Sequence, residues 1–285
     1  MNSILITGGS GAFGQAFTQY LLKETQTQRI VIFSRGEFAQ ALMQEKIAIC
    51  HERLRFMIGD VRDENRLRHA LDSVDTVVHA AALKRIEVEE YNPEELVQTN
   101  IDGTRNLIRA AHDAGVHKLI LLSTDKAFQA VNLYGATKFV AEKLFLNANN
   151  TRGWRGPIFA VCRYGNIWNS TGSVVPRWWS AIRQGKPIEI TDPECTRFYM
   201  TLSQAIELVM KTYNVMTEND RCPHIPPLPA YRLGDLAMAM GGEQKNIGLP
   251  LREKLHESLD DGYSSDKVHR LLVPELVEAL RGTGP

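Results

Sequence analysis

The stretch Thr7-Gly8-Gly9-Ser10-Gly11-Ala12-Phe13-Gly14 constrains this chain more than any other. It follows a short apolar run, Ile4–Thr7, and opens an amphipathic stretch, Phe13–Lys23, with the pattern of a helix. Glycines at 8, 11 and 14 permit a tight turn, close approach of the backbone to a pyrophosphate, and close packing of helix on strand. A helix start adds unpaired N–H groups and the positive end of the helix dipole. Thr7, Gly8, Ser10, Gly11, Ala12, Phe13 and Gly14 are therefore candidate ligands of a dinucleotide.

The same alternation of strand and helix continues for about 165 residues. Arg29–Phe33, Leu54–Ile58, Thr76–His79, Lys118–Leu122 and Ile158–Cys162 read as strands, and Arg62–Leu71 and Pro93–Ala114 as helices. Near-continuous apolar strands between helices imply a parallel sheet covered on both faces. The expected class is α/β, a Rossmann-like doubly wound sheet. Beyond Arg163-Tyr164-Gly165-Asn166 the pattern loosens, broken by Pro176, Pro187, Pro193 and the run 222–229, before helix-like Leu233–Met240 and Val273–Arg281. This divides the chain into a nucleotide-binding domain, 1–165, and a smaller lobe, 166–285, interleaved with the sheet edge.

The charge balance narrows the partners. Lys+Arg and Asp+Glu both total 33, so neither nucleic acid nor an acidic membrane surface is indicated. Cys50, Cys162, Cys195 and Cys222 are widely spaced without a C-x-x-C pair, which favours reduced thiols over a disulfide or a metal site. The start has no basic segment followed by a long apolar one, and no stretch is long enough to span a bilayer. A cytoplasmic enzyme is the expectation.

Ile32-Phe33-Ser34-Arg35 ends the second strand without the acidic residue that would hold the ribose hydroxyl of NAD. Ser34 and Arg35 suit a 2′-phosphate, hence NADP, with NAD as the alternative. Asp60 and Val61 fall at the adenine edge, and Ala80, Ala81 and Ala82 offer small side chains where a dinucleotide passes.

Two acid/base pairs follow the fifth strand. Tyr134 and Lys138 share one helix face, so the ammonium can lower the phenol's pKa. Ser123-Thr124-Asp125-Lys126 places a second pair at the strand end. One pair suits oxidation of an alcohol; two suit oxidation followed by elimination.

Several motifs then carry a resemblance. They are His79-Ala80-Ala81-Ala82-Leu83-Lys84, Glu90-Tyr91-Asn92-Pro93, Thr99-Asn100-Ile101 and Ser123-Thr124-Asp125-Lys126-Ala127. Asn132-Leu133-Tyr134-Gly135-Ala136-Thr137-Lys138, Arg163-Tyr164-Gly165-Asn166, Thr196-Arg197-Phe198 and Glu253-Lys254-Leu255-His256-Glu257 complete the set. Together they resemble the extended short-chain dehydrogenase/reductase family, in particular UDP-N-acetylglucosamine 4,6-dehydratases of the C5-inverting, pseudaminic acid pathway type.

The resemblance implies that Tyr134, assisted by Lys138, deprotonates the sugar C4 hydroxyl as hydride leaves C4. Lys126 then takes the C5 proton and Asp125 protonates the departing C6 hydroxyl, or the two exchange these roles, and the hydride returns to C6. Thr124 would hydrogen-bond the substrate hydroxyl. Asn100, Ser123 and Tyr164 join the cofactor set, and Lys84, Asn166, Ser173, Val174, Val175, Arg197 and Glu257 the UDP-sugar set. Trp178-Trp179 reads as packing for the lobe. The family implies a homo-oligomer, dimer or hexamer.

The chain departs from the family pattern at Trp168-Asn169, Cys195 and Arg252, which leaves the exact sugar open. A 5,6-dehydratase, a C5-retaining dehydratase, a C4-epimerase and a non-catalytic NADP-binding regulator stand as alternatives.

Overall fold

The structure is a computed structural model that describes residues 1–47, 52–86, 91–170 and 172–283. Cys50 and Glu90, named above, lie outside the described residues.

Strands β1 (Ser3–Thr7), β2 (Arg29–Ser34), β3 (Leu54–Ile58), β4 (Thr76–His79), β5 (Lys118–Leu122) and β6 (Ile158–Cys162) form one parallel sheet in the order β3-β2-β1-β4-β5-β6. The order reverses between β1 and β4, the position where doubly wound sheets open a crevice at their carboxyl ends. Glycine turn, Ala80 and Ser123 all follow strands that end there.

Side-chain alternation gives the sheet two cores. Ile4, Ile6, Ile30, Ile32 and Ile120 pack with Phe13, Phe17 and Leu21 of α1 (Ala12–Glu24) on one face. Leu5, Val31, Phe33, Val77, Leu119 and Leu121 pack on the other. There they meet α3 (Glu64–Ala70), α5 (Gly103–Ala114) and α6 (Leu133–Thr151) through Leu67, Leu107, Ala110, Ala141 and Phe145. Helix α2 (Glu37–Lys46) follows β2.

Two expected helices differ in detail. The helix expected from Arg62 starts at Glu64, because the Asp63 carboxylate accepts a hydrogen bond from the Arg66 N–H at 2.9 Å and caps it. Pro93–Ala114 is not continuous: α4 (Pro93–Val97) runs into a π-helical turn, Gln98–Asp102, before α5. The widened turn buries Thr99 and Asn100, and such turns gather at functional sites.

A third core lies beyond Asn166. Val175 and Trp178 of α7 (Val174–Arg183), Ile188 and Ile190 of β7 (Ile188–Ile190), and Leu236 and Met240 of α9 (Leu233–Met240) join Leu276 of α10 (Val273–Leu280). β8 (Thr196–Phe198) pairs antiparallel with β9 (Ala230–Arg232), β10 (Gln244–Asn246) pairs with β7, and β11 (Ser258–Asp260) with β12 (Tyr263–Ser264). Helix α8 (Leu202–Val215) goes back to the sheet, where Ala205, Ile206, Leu208 and Val209 join the first core.

Candidate functional site

The glycine turn is built as its spacing predicts. Gly8 has φ +64°, and a Cβ there would stand 2.9 Å from the backbone of Ala81. A Cβ on Gly14 would strike the Gly9 carbonyl, so its absence lets α1 seat on the turn. Gly11 precedes α1 without a capping side chain, and no acidic residue occupies the first turn. The helix start therefore keeps N–H donors and a positive dipole end for an anion. This cradle fits a dinucleotide pyrophosphate.

At the other end of the crevice Ser34 Oγ accepts hydrogen bonds from Ser10 Oγ and Gln40 Nε2, both at 2.9 Å. Arg35 is half exposed, its Nη1 3.6 Å from Asp60 Oδ2, while Arg62 binds the same carboxylate at 2.8 Å. Burial acts to raise the Asp60 carboxyl, but the hydrogen bonds and charge of Arg62, with Arg35, hold it below its ordinary value.

Tyr134 and Lys138 lie one turn apart on α6, whose start is capped by the Asn132 side chain accepting from the Gly135 N–H at 2.8 Å. Burial pushes the Tyr134 phenol up to about 12, opposed by Lys126 and a hydrogen bond with Thr124. The expected lowering of this phenol by Lys138 is thus corrected: burial wins, and the cation that opposes it is Lys126. Lys138 itself is pushed down to about 8 by burial, against the pull of Glu142 one turn further on.

The loop after β5 folds into a short 3-10 turn, Asp125–Ala127, started by Thr124. Asp125 is wholly buried; its Oδ1 accepts from Thr124 Oγ1 at 3.0 Å and from Lys126 Nζ at 3.1 Å, while Oδ2 has no hydrogen-bond partner among the described residues. Lys126 Nζ also stands 3.3 Å from Asn166 Oδ1 and 3.2 Å from Glu257 Oε1. Burial raises the Asp125 carboxyl, and the Glu257 charge adds to this against Lys126. For Lys126, burial acts downward, but Asp125 and Glu257 overcome it and hold the ammonium well above its ordinary value. Raised Asp125 suits an acid; raised Lys126 does not suit a base, because two carboxylates stabilise its charge.

These groups surround one cavity of about 1160 Å³. The expected cofactor residues Gly8, Ser10, Gly11, Ala12, Phe13, Gly14, Ser34, Arg35, Asp60, Val61, Ala80, Ala81, Ala82, Ser123, Tyr134, Lys138 and Tyr164 line it. So do Thr124, Lys126, Lys84, Asn166, Ser173, Val174, Arg197 and Glu257. The Ser123, Ser173 and Thr99 hydroxyls are buried there without hydrogen-bond partners among the described residues, as groups awaiting a polar ligand are.

Four expected residues stand behind the lining. Thr7 is buried, with Oγ1 2.7 Å from His79 Nδ1 and accepting from the Ala81 N–H, so it braces strand ends. Asn100 bonds the Leu83 N–H and carbonyl, both at 2.9 Å, and Thr137 Oγ1 at 3.0 Å. It fixes the backbone beside the cavity instead of meeting a cofactor. Val175 points into the third core, and Asp125 reaches the cavity only through Thr124 and Lys126. Trp178 packs as expected, donating its indole N–H to the Glu189 carbonyl at 3.0 Å, although its edge reaches the cavity.

Arg197 is buried, its Nη1 donating to the Thr196 and Leu255 carbonyls at 2.9 and 3.1 Å and its Nη2 3.3 Å from Glu253. Tyr231, which stands opposite Arg197 across the β8–β9 ladder, and Lys254 also line the cavity. Tyr231 is not signalled in the sequence, because strand pairing brings it in; Lys254 lies within a motif that carries the resemblance, but no site role is implied for it there. Among the described residues no helix is long and apolar enough to cross a membrane, and no cluster fit to hold a metal is found. Cys162, Cys195 and Cys222 are free thiols.

Residues 4–273 match the polysaccharide biosynthesis protein family. The chain is 44% identical over 271 residues to UDP-N-acetylglucosamine 4,6-dehydratase (inverting) of Campylobacter jejuni subsp. jejuni serotype O:2, covering 94% of this chain and 79% of that one. It is 39% identical over 266 residues to a UDP-glucose 4-epimerase of Rickettsia bellii, covering 90% and 77%. Among solved structures, Pen from Bacillus thuringiensis superposes with a TM-score of 0.92 at 30% identity, over 100% of this chain and 98% of that one. DesIV, a dTDP-glucose 4,6-dehydratase from Streptomyces venezuelae, shares the fold with a TM-score of 0.79 at 19% identity, over 98% and 96%.

Proposed function

Because this chain belongs to the polysaccharide biosynthesis protein family, we propose that it is an NADP-dependent dehydratase converting UDP-N-acetylglucosamine to the 4-keto-6-deoxy sugar with inversion at C5. The carrying observation is that Thr124 bridges the two acid/base pairs: its hydroxyl bonds Asp125 Oδ1 at 3.0 Å and also meets the Tyr134 phenol, at one cavity.

The nicotinamide supplies a hydride acceptor for C4 and a donor for C6. Tyr134 takes the C4 hydroxyl proton, the phenolate this requires being favoured by the Lys126 charge and the Thr124 hydroxyl, with Lys138 one turn away assisting as the resemblance implies. With C4 a ketone, the C5 proton becomes acidic. Lys126, the member of the second pair that lines the cavity, takes it as the neutral amine, once its ammonium has passed a proton to the Asp125 carboxylate 3.1 Å away. Asp125 gives its proton, through the Thr124 hydroxyl, to the departing C6 hydroxyl. The C5–H and C6–O bonds break, a C5=C6 double bond forms, and water leaves. Arg35 favours NADP through the 2′-phosphate, and Arg197 with Lys84 and Ser173 faces the UDP end. A homo-oligomer in the cytoplasm completes the reading.

The name of the Rickettsia relative favours one second reading, C4 epimerisation. Incubation with UDP-N-acetylglucosamine in D₂O, followed by proton NMR and mass spectrometry, separates them. Loss of one water with a new C6 methyl signal and deuterium at C5 is expected, and its coupling pattern reports inversion. A C4 epimer without loss of water overturns the dehydratase.

A further inference from the structure

The resemblance implies Glu257 as a substrate ligand, but its surroundings suit another task. Its backbone is fixed: the Glu257 N–H donates to Ser265 Oγ at 3.0 Å, and its carbonyl accepts from the Ser265 N–H at 2.8 Å. The side chain is 3% exposed, with Oε1 3.2 Å from Lys126 Nζ and Oε2 3.4 Å from Lys254 Nζ. Oε1 is thus taken up by Lys126, while Oε2 is buried beside the Lys254 ammonium and makes no hydrogen bond among the described residues.

We propose that Glu257 is a positioning residue: it clamps the Lys126 ammonium and so sets the pH at which Lys126 can serve as base. A lysine ammonium has three N–H donors, and Asp125 Oδ1, Asn166 Oδ1 and Glu257 Oε1 stand within 3.3 Å of Nζ. Asp125 alone is a poor counterion, because it is wholly buried and meets one cation. Glu257 meets Lys126, Arg197 and Lys254, and they hold it down to about 2 although burial acts to raise it. The stable anion of the group is therefore Glu257. Tyr134 and Tyr231 face the same cluster and stay neutral, pushed up to about 12 by burial. Glu253 is turned to Arg197.

The segment that carries Glu257 is itself tied to the catalytic loop. Lys254 Nζ donates to the Phe128 carbonyl at 2.6 Å, and Asn132 Nδ2 to the Arg252 carbonyl at 2.9 Å. Residues 252–257 thus hold the loop that carries Lys126 as well as its charge.

The role as base rests on the dehydratase reading; the clamp does not. The test is competitive labelling of the purified protein with acetic anhydride across pH, with Lys126 acylation read by peptide mass spectrometry. E257Q is expected to move the Lys126 labelling curve to lower pH by about one unit, about tenfold more free amine at a given pH below the curve's midpoint. K254M, which loosens the same segment without removing the Glu257 charge, is expected not to move it downward. An unchanged curve in E257Q, or equal downward shifts in both variants, overturns the clamp. With UDP-N-acetylglucosamine, the acid limb of C5 deuterium incorporation is expected to move downward in E257Q. A higher KM with an unmoved pH profile instead returns Glu257 to substrate binding and overturns the proposal. A wild-type protein that forms no product but shows the labelling shift sinks the dehydratase reading alone.

Discussion

Arg163 forks onto Glu142, with Nε 2.9 Å from Oε1 and Nη2 2.5 Å from Oε2, while its Nη1 reaches the Leu259 carbonyl at 2.6 Å. Both side chains are buried, so the pair ties α6 to the end of β6 and to β11. Glu142 lies one turn beyond Lys138, and the clamp keeps a negative charge near that ammonium.

Arg163→Met leaves the Glu142 carboxylate buried without its partner, and the expected loss of stability is about 3–5 kcal/mol. Urea unfolding followed by circular dichroism measures it. A double variant, R163M with E142L, is expected to recover only part of that loss, because the unpaired carboxylate is gone while the Lys138 ammonium loses the anion beside it.

Lys138 offers a stability prediction with a definite sign. Its pKa falls from 10.5 to about 8 on folding, mainly through burial, with Glu142 opposing. Below about pH 8 the folded protein holds a buried ammonium, and that cost is fully present. As pH rises from about 8 to 10.5 the native state releases the proton while the unfolded chain keeps it, so this cost declines. Lys138→Met should therefore be more stable than the parent at pH 7, by up to about 3 kcal/mol. The gap should narrow as pH rises through that window, and a gap independent of pH would contradict the assignment. The same variant should be nearly inactive.

Tyr134→Phe removes the only group expected to take the C4 proton and keeps the ring that packs at the start of α6. Oxidation at C4, followed by nicotinamide absorbance in a single turnover, is expected to slow about 10²–10⁴-fold. Thermal unfolding should barely change. A Tyr134→Phe protein that still oxidises C4 at the parent rate would move the base to another residue.

The six strands were legible because a parallel sheet covered on both faces leaves little room for polar positions, as Ile4–Thr7 and Lys118–Leu122 show. The glycine turn was legible because steric need fixes Gly8 and Gly14 directly. Asp125 and Lys126 are neighbours in the chain, so their pairing could be anticipated. Glu257, Arg197 and Tyr231 reach them through β8–β9 pairing and a loop segment, and adjacency in space of that kind leaves no local pattern. Val175 misled for a related reason. It sits beside Ser173 in the chain, but the first turn of α7 swings it with Trp178 into the third core. The π-helical turn that aims Asn100 at Leu83 uses residues an ordinary helix accepts, so sequence alone had no reason to break the helix there.

The proposed preference for NADP rests on Arg35. Its guanidinium is half exposed and 3.6 Å from Asp60, a carboxylate that Arg62 already holds at 2.8 Å. An anion at the ribose can therefore take Arg35 without stripping Asp60 of its counterion. Charge-assisted hydrogen bonds contribute about 1.5–3 kcal/mol each, so Arg35→Glu should weaken NADP about tenfold to a hundredfold. NAD, which lacks the 2′-phosphate, should bind with little change. Fluorescence titration of the purified protein with each dinucleotide checks this. Equal weakening of both would mean that the substitution disturbs the adenosine site as a whole, and an unchanged NADP affinity would remove Arg35 from the recognition of phosphate.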